Sequence, residues 1–160
     1  MEDIKLINFI NLNLEQKKMI LEWRNNPDIK IWMYNQDEIK LENHLSFIEN
    51  LKNSKDKLYF LLKNENDYIG VIDFTQIIKD ESLHMGIYNN PNLKGYGKIL
   101  LEIIINYAFE TLKVKRIFSE VFSKNDKAYK LYKRYKFKEI NTKSVNNQEV
   151  ICMELINDNR

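Results

Sequence analysis

Apolar and polar positions follow one another along the chain in two periods, which predict short strands alternating with amphipathic helices. Ile4 to Phe9 reads as a strand, and Asn13 is placed to cap a helix from Leu14 to about Arg24, ended by Asn25, Asn26 and Pro27. Leu41, Leu45, Ile48 and Leu51 recur at helical spacing and predict a second helix from Leu41 to Leu51, with His44 at the edge of its apolar stripe. Lys57 to Lys63, Tyr68 to Ile78 and Ser82 to Tyr88 are apolar or alternating runs separated by polar turns, the signature of an antiparallel meander. The longest apolar helical pattern spans Lys98 to Leu112. A strand from Val114 to Phe122 follows it, so that this part of the chain forms a β-α-β unit with parallel strands. Asn125 or Asp126 caps a shorter helix to Tyr135, and Phe137 to Asn141 and Val150 to Ile156 supply the last two strands. Trp23 and Trp32 are expected in the core. No linker, repeat or low-complexity tract divides the chain, so a single domain over 1–160 is expected.

Composition narrows the function classes. The 160 residues carry 25 Lys and Arg against 23 Asp and Glu, a formal charge of +2, and 44% are hydrophobic, as in one globular domain. The charges of both signs are interspersed, which removes the electrostatic case for a nucleic-acid partner. Cys152 is the one cysteine, so neither an intramolecular disulfide nor a cysteine-based metal site is available, and a reducing cytoplasm fits. Glu2 and Asp3 stand where a signal peptide would be basic, and no run reaches the ~20 apolar residues of a membrane span. No metal and no membrane partner are expected.

Two of the four glycines, Gly95 and Gly97, fall within three residues at the mouth of the longest helix. In Lys94-Gly95-Tyr96-Gly97-Lys98-Ile99 the missing side chains let successive backbone N–H groups turn inward, and the helix adds its partial positive end, which makes a cradle for a pyrophosphate. A tight turn that merely starts a helix would use the same glycines. There is no third glycine for a dinucleotide fingerprint and no Gly-Lys-Ser/Thr for a P-loop. Downstream, Asn125, Ala128, Leu131, Tyr132 and Phe137 stand in the pattern N-x-x-[A/S]-x-x-L-Y-x-x-x-G-F, with Lys136 in place of its glycine. The first segment resembles motif A, Q/R-x-x-G-x-G/A, of the Gcn5-related N-acetyltransferase (GNAT) superfamily, with Lys94 and Ile99 as its two departures. The second resembles motif B of the same superfamily. The two motifs in the right order cover Ser82 to Phe137.

This resemblance implies a GNAT fold of the α/β (α+β) class, with a central mixed, mostly antiparallel sheet of about seven strands flanked by about four helices. It implies acetyl-CoA as co-substrate, held by Lys94, Gly95, Tyr96, Gly97, Lys98 and Ile99, by the strand backbone at Met85 and Ile87, and by Asn125. The reaction implied is direct attack of an amine on the thioester, with no covalent acyl-enzyme. Tyr132 is then the acid that protonates the departing sulfur: a phenol with pKa ~10 can donate to a thiolate whose conjugate acid lies near ~8.5. For the general base His44, His84, Asp73 and Glu120 all stay open, with His84 and Glu120 placed first.

The N-terminal half narrows the resemblance. Glu22-Trp23-Arg24-Asn25-Asn26-Pro27-Asp28-Ile29, His44-x-x-Phe47-Ile48 and the Tyr68-to-Phe74 strand together resemble the nucleotide-sugar N-acetyltransferases of pseudaminic acid synthesis over essentially the whole chain. That similarity implies N-acetylation of UDP-4-amino-4,6-dideoxy-N-acetyl-β-L-altrosamine on the path to flagellin glycosylation, with Arg24, His44, Thr75, Gln76 and Tyr88 around the sugar nucleotide. Acetylation of a protein N-terminus or another small amine, and a non-catalytic acyl-CoA-binding module, are the alternatives. A homodimer is compatible with the sequence.

Overall fold

Local chemistry sets most element boundaries in the structure, a computed structural model that describes residues 3–158. Asn13 accepts from the Gln16 N–H while Gln16 accepts from the Asn13 N–H, a capping box that starts α1 (Leu14–Asn25). Where the sequence pattern predicts only a stop, Asn26 caps a one-turn helix, α2 (Pro27–Lys30), with Pro27 at the position where a missing N–H is harmless. α3 (Leu41–Asn50), α4 (Gly97–Asn106) and α5 (Asp126–Arg134) follow, one helix more than the expected four. The final turn of the long apolar run, Tyr107–Thr111, is a π-helix in which Tyr107 stacks on Phe74, 5.4 Å between centroids.

Seven strands form one sheet: β1 (Lys5–Asn8), β2 (Leu58–Lys63), β3 (Tyr68–Ile78), β4 (Ser82–Asn89), β5 (Arg116–Phe122), β6 (Lys138–Val145) and β7 (Gln148–Ile156). Their order is β1-β2-β3-β4-β5-β7-β6, and only the β4–β5 pair is parallel, joined through α4. The class, the strand number and the β-α-β unit agree with expectation. β6 is longer than expected because Asn146 and Asn147, both in the left-handed region at φ 52° and 61°, close a two-residue hairpin into β7.

The two faces of the sheet bury separate cores. On one, Leu62, Ile72, Leu83 and Met153 pack with Leu100 and Ile104 of α4 and Tyr132 of α5. On the other, Leu61 and Val71 pack with Ile20 and Trp23 of α1 and Ile48 of α3. Trp23 is 3% exposed, as a core residue should be, but Trp32 is 40% exposed. It follows α2 on the segment to α3, which faces neither core, so the expectation of a buried Trp32 is corrected. Among the described residues no helix is long and apolar enough to cross a membrane, and no group of three or more His, Cys, Asp or Glu is placed to hold a metal ion.

One irregularity of the sheet positions everything that follows. β4 and β5 pair only at Ser82–Arg116, Leu83–Ile117 and His84–Phe118. Beyond His84, β4 stays with β3 and β5 stays with β7, and the sheet opens into a cleft. Ser82 and Leu83 are buried, whereas every residue from His84 to Asn89 is half-buried.

Candidate active site

Backbone direction in β4 follows from two hydrogen bonds at its ends. The Arg116 N–H donates to the Glu81 carbonyl across the β4–β5 pair, and the Asn90 N–H donates to the Ile69 carbonyl on the β3 side. Because backbone groups alternate along a strand, residues 83, 85 and 87 aim theirs toward β5. Past His84 there is no β5 to receive them. Met85 and Ile87 therefore present N–H groups to the open cleft, at the positions where the sequence motif expects a carbonyl to be polarised.

The glycine loop lies at one end of this cleft. Gly95 has φ +86°, a conformation costly for any residue with a side chain, and the place where its Cβ would stand is open space. The first intrahelical bond of α4 runs from the Leu100 N–H to the Tyr96 carbonyl, 2.9 Å, so the N–H groups of Gly97, Lys98 and Ile99 precede it. No side chain caps them. Asn89 braces the approach by donating to the carbonyls of Asn90 and Leu93, and Asn64 donates to the Tyr96 hydroxyl. Lys94 is exposed beside the loop. An open left-handed turn leading into an uncapped helix fits the diphosphate of a coenzyme A molecule, whose thioester would supply the acetyl group.

Tyr132 enters from the α4–α5 face. It is 5% exposed, and burial first, then the charge of Asp73, pushes its phenol above the usual range, so the hydroxyl keeps its proton. Its orientation comes from the end of α5. The Phe137 N–H donates to the Tyr132 carbonyl and the Lys136 N–H to that of Lys133, both at 3.0 Å, a Schellman motif that brings the Phe137 ring to 5.6 Å from Tyr132. Lys136, where the family pattern has glycine, keeps the left-handed conformation at φ 77°. Asn125 caps α5 by accepting from the Ala128 N–H, which leaves its amide donor for a ligand.

The opposite face of the cleft holds a second cluster. The register aligns Tyr59, Asp73 and Gly86 across β2, β3 and β4, so their side-chain positions share one face. Asp73 lies flat on Gly86: a Cβ at residue 86 would collide with both carboxylate oxygens. Its carboxyl is pushed up to about 7 by burial, and it makes no hydrogen bond among the described residues. Arg24, Tyr59 and Tyr88 stand close enough to feel one another's charge, and the two tyrosines also feel Asp73. Arg24 donates through Nη2 to the Asn35 carbonyl, 2.9 Å, while its Nη1 is buried with no hydrogen-bond partner. An orphaned guanidinium nitrogen is an unused anion receptor.

The other expected residues are distributed differently. Thr75 is half-buried opposite His84 on the same face, and Gln76 is exposed at a β-bulge with φ 48°. His44 is 7% exposed, and its Nε2 bonds the Lys17 carbonyl at 2.8 Å, which pins α3 to α1 through one of its two ring nitrogens. His84 stacks near Phe118, and burial lowers its pKa. Glu120 pairs with Lys143 at 2.9 Å and accepts from the Tyr34 hydroxyl. Burial would raise its carboxyl, but these two bonds outweigh it and hold it ionised, which makes Glu120 a weak proton acceptor. Tyr34 was not legible as a site residue. It belongs to the segment 31–40, which is tied to α1 by Arg24 and Asn25 and reaches over to β5 through Glu120.

Comparison with known proteins places this arrangement. An acetyltransferase (GNAT) domain model matches residues 8–138. Acetyltransferase PseH of Campylobacter jejuni, from strains 81-176 and NCTC 11168, is 46% identical over 134 residues, 84% of this chain and 84% of the relative. The crystal structure of Campylobacter jejuni N-acetyltransferase PseH in complex with acetyl coenzyme A superposes with a TM-score of 0.81 at 36% identity, covering 98% of this chain and 100% of the other. Spermidine N-acetyltransferase from Vibrio cholerae shares the fold, with a TM-score of 0.86 at 20% identity over 96% of this chain and 95% of that one. With its glycine loop, splayed strands and motif tyrosine inside the matched region, the chain belongs to the acetyltransferase (GNAT) domain family.

Proposed function

We propose that this chain is a single-domain N-acetyltransferase that moves acetyl from acetyl-CoA to the 4-amino group of UDP-4-amino-4,6-dideoxy-N-acetyl-β-L-altrosamine. Its likeness to the Campylobacter PseH enzymes supports this assignment. The observation that carries it is the β4–β5 cleft, with a diphosphate cradle at one end and, on the opposite face, half-buried tyrosines beside an unpartnered Arg24 nitrogen. Residues 94–99, the N–H groups of Met85 and Ile87, and Asn125 hold the acyl donor. Arg24 takes a phosphate of the acceptor, and Tyr88 and Tyr59 wall its sugar. Thr75 and Gln76 stand at the rim. Tyr132 donates a proton to the leaving sulfur as the amine nitrogen bonds the acetyl carbon and the carbon–sulfur bond breaks. The reaction is cytoplasmic, its product feeds flagellin glycosylation, and a homodimer is compatible with the long exposed edge strand β6.

A thiol-release assay with acetyl-CoA tests the assignment. The panel is the 4-amino UDP-altrosamine, its epimeric 4-amino UDP-sugar and a ribosomal N-terminal peptide. Release with the first alone is the expected result. Release with the peptide alone would overturn the sugar assignment and leave the family intact.

A further inference from the structure

We propose that Asp73 is the residue that accepts the proton of the incoming ammonium, from the face of the sheet opposite Tyr132. This rests on the assignment of the cleft as the site of amine acetylation.

The geometry begins with Gly86. A carboxylate resting on the β4 backbone between Met85 and Ile87 is adjacent to the two N–H groups that face the cleft, and only glycine leaves room for it. Asp73 and Tyr132 come from separate layers of the molecule, yet the Asp73 charge reaches the buried phenol. The open end of the sheet thus has an acid on one face and a carboxylate on the other, close enough for the charge of one to act on the other.

Every charged or titratable group facing Asp73 fits this role. Tyr59 of β2, Tyr88 of β4 and Tyr132 of α5 are held protonated by burial, so none competes as a base. Arg24 of α1 sits beyond the tyrosines and pairs with no carboxylate among the described residues. Asp73 therefore lacks the cation that would lock it in the ionised form, in contrast to Glu120 with Lys143. Tyr59 and Tyr88, two aromatic rings on the same face as the carboxylate, also suit an ammonium ion, which is attracted to ring faces and to the charge together. Asp73 remains half-buried, which gives the proton a way out to water.

The protons balance. The ammonium gives its first proton to Asp73, which releases it to solvent. The nitrogen lone pair then forms the bond to the acetyl carbon as the carbon–sulfur bond breaks and sulfur keeps its electron pair. Tyr132 protonates that sulfur, and the second amine proton restores the phenol.

Asp73→Asn and Asp73→Glu are measured beside wild type with whichever amine of the panel wild type acetylates. Rejection of the nucleotide sugar in favour of the peptide would sink the acceptor assignment while the proton-acceptor test still runs. Wild-type kcat/KM is expected to rise with pH to a midpoint near 7. Asp73→Asn should lose on the order of 10²–10⁴-fold at neutral pH, and the deficit should shrink at higher pH, because the variant depends on amine that has already lost its proton. Asp73→Glu should recover part of the rate. Acetyl-CoA affinity by calorimetry should be unchanged in both.

A readout independent of turnover is thermal stability against pH. The folded carboxyl titrates above its unfolded value of ~3.9, so this group's contribution is greatest at low pH and is lost as pH rises through about 7. The melting temperature of Asp73→Asn should therefore gain on wild type between those two pH values. An Asp73→Asn enzyme with wild-type rates, or one with an equal loss at every pH and an unshifted profile, would overturn the proposal.

Discussion

The glycine loop and the Asp73 cluster both adjoin the stretch of β4 that has parted from β5, but they are assembled in different ways. The loop is local: residues 94–99 are consecutive, and their work is done by backbone N–H groups and one left-handed turn. The cleft draws Arg24, Tyr59, Asp73 and Tyr88 from α1, β2, β3 and β4, and it exists only when those elements are in register. A local device tolerates changes of side chain, because a helix end is positive whatever residues flank it. Ile99 and Lys136 show this tolerance, since both depart from the family pattern and the backbone geometry survives. A cleft built from distant elements depends on each side chain and on the space between them.

Four substitutions sharpen that contrast. Tyr132→Phe should have the largest effect, lowering kcat on the order of 10²–10⁴-fold, with acetyl-CoA affinity intact by calorimetry. A full rate with unchanged binding would remove Tyr132 from the chemistry.

Gly86→Ala comes next. The new methyl would displace the Asp73 carboxylate, so activity should fall toward that of Asp73→Asn and stability should drop by about 1–3 kcal/mol, read from urea unfolding. Pairing it with Asp73→Ala should return much of the stability and none of the rate. If the single variant is as stable as wild type, the carboxylate is not packed as described.

Gly95→Ala acts on the local side. It forces a side chain into φ +86°, at a cost of about 1–2 kcal/mol. A several-fold loss of acetyl-CoA affinity should accompany this, with the pH profile of turnover unmoved. A shifted profile would show that the two regions are coupled.

The smallest effect should be a gain. Lys136→Gly relieves a left-handed lysine at the end of α5, worth about 1 kcal/mol in thermal unfolding, and it should leave turnover nearly as it was.

How much was legible follows the same division. The order of strands and helices was readable because apolar period and capping residues act within a few positions, as at Asn13 and Asn125. The motif tyrosine and the glycine loop were readable for that reason too. The Asn146-Asn147 turn and the Asn26 cap are local signals as well, and they were missed only because a stop and a new start look alike in sequence. His44 shows the other limit. The spacing of a histidine on an apolar stripe does not tell which distant carbonyl its ring will meet, and its hydrogen bond to Lys17 spans 27 residues.

By itself the sequence determined the class of fold, the glycine turn into α4 at residues 94–99 and the helix carrying Tyr132, because each depends on interactions between near neighbours. Only the tertiary structure decided which carboxylate stands ready. Glu120 and Asp73 are both acidic residues on strands, but one meets Lys143 and Tyr34 while the other meets tyrosines and a glycine. Proton affinity is set by burial and by the charges within a few ångströms, and those neighbours are brought together by folding.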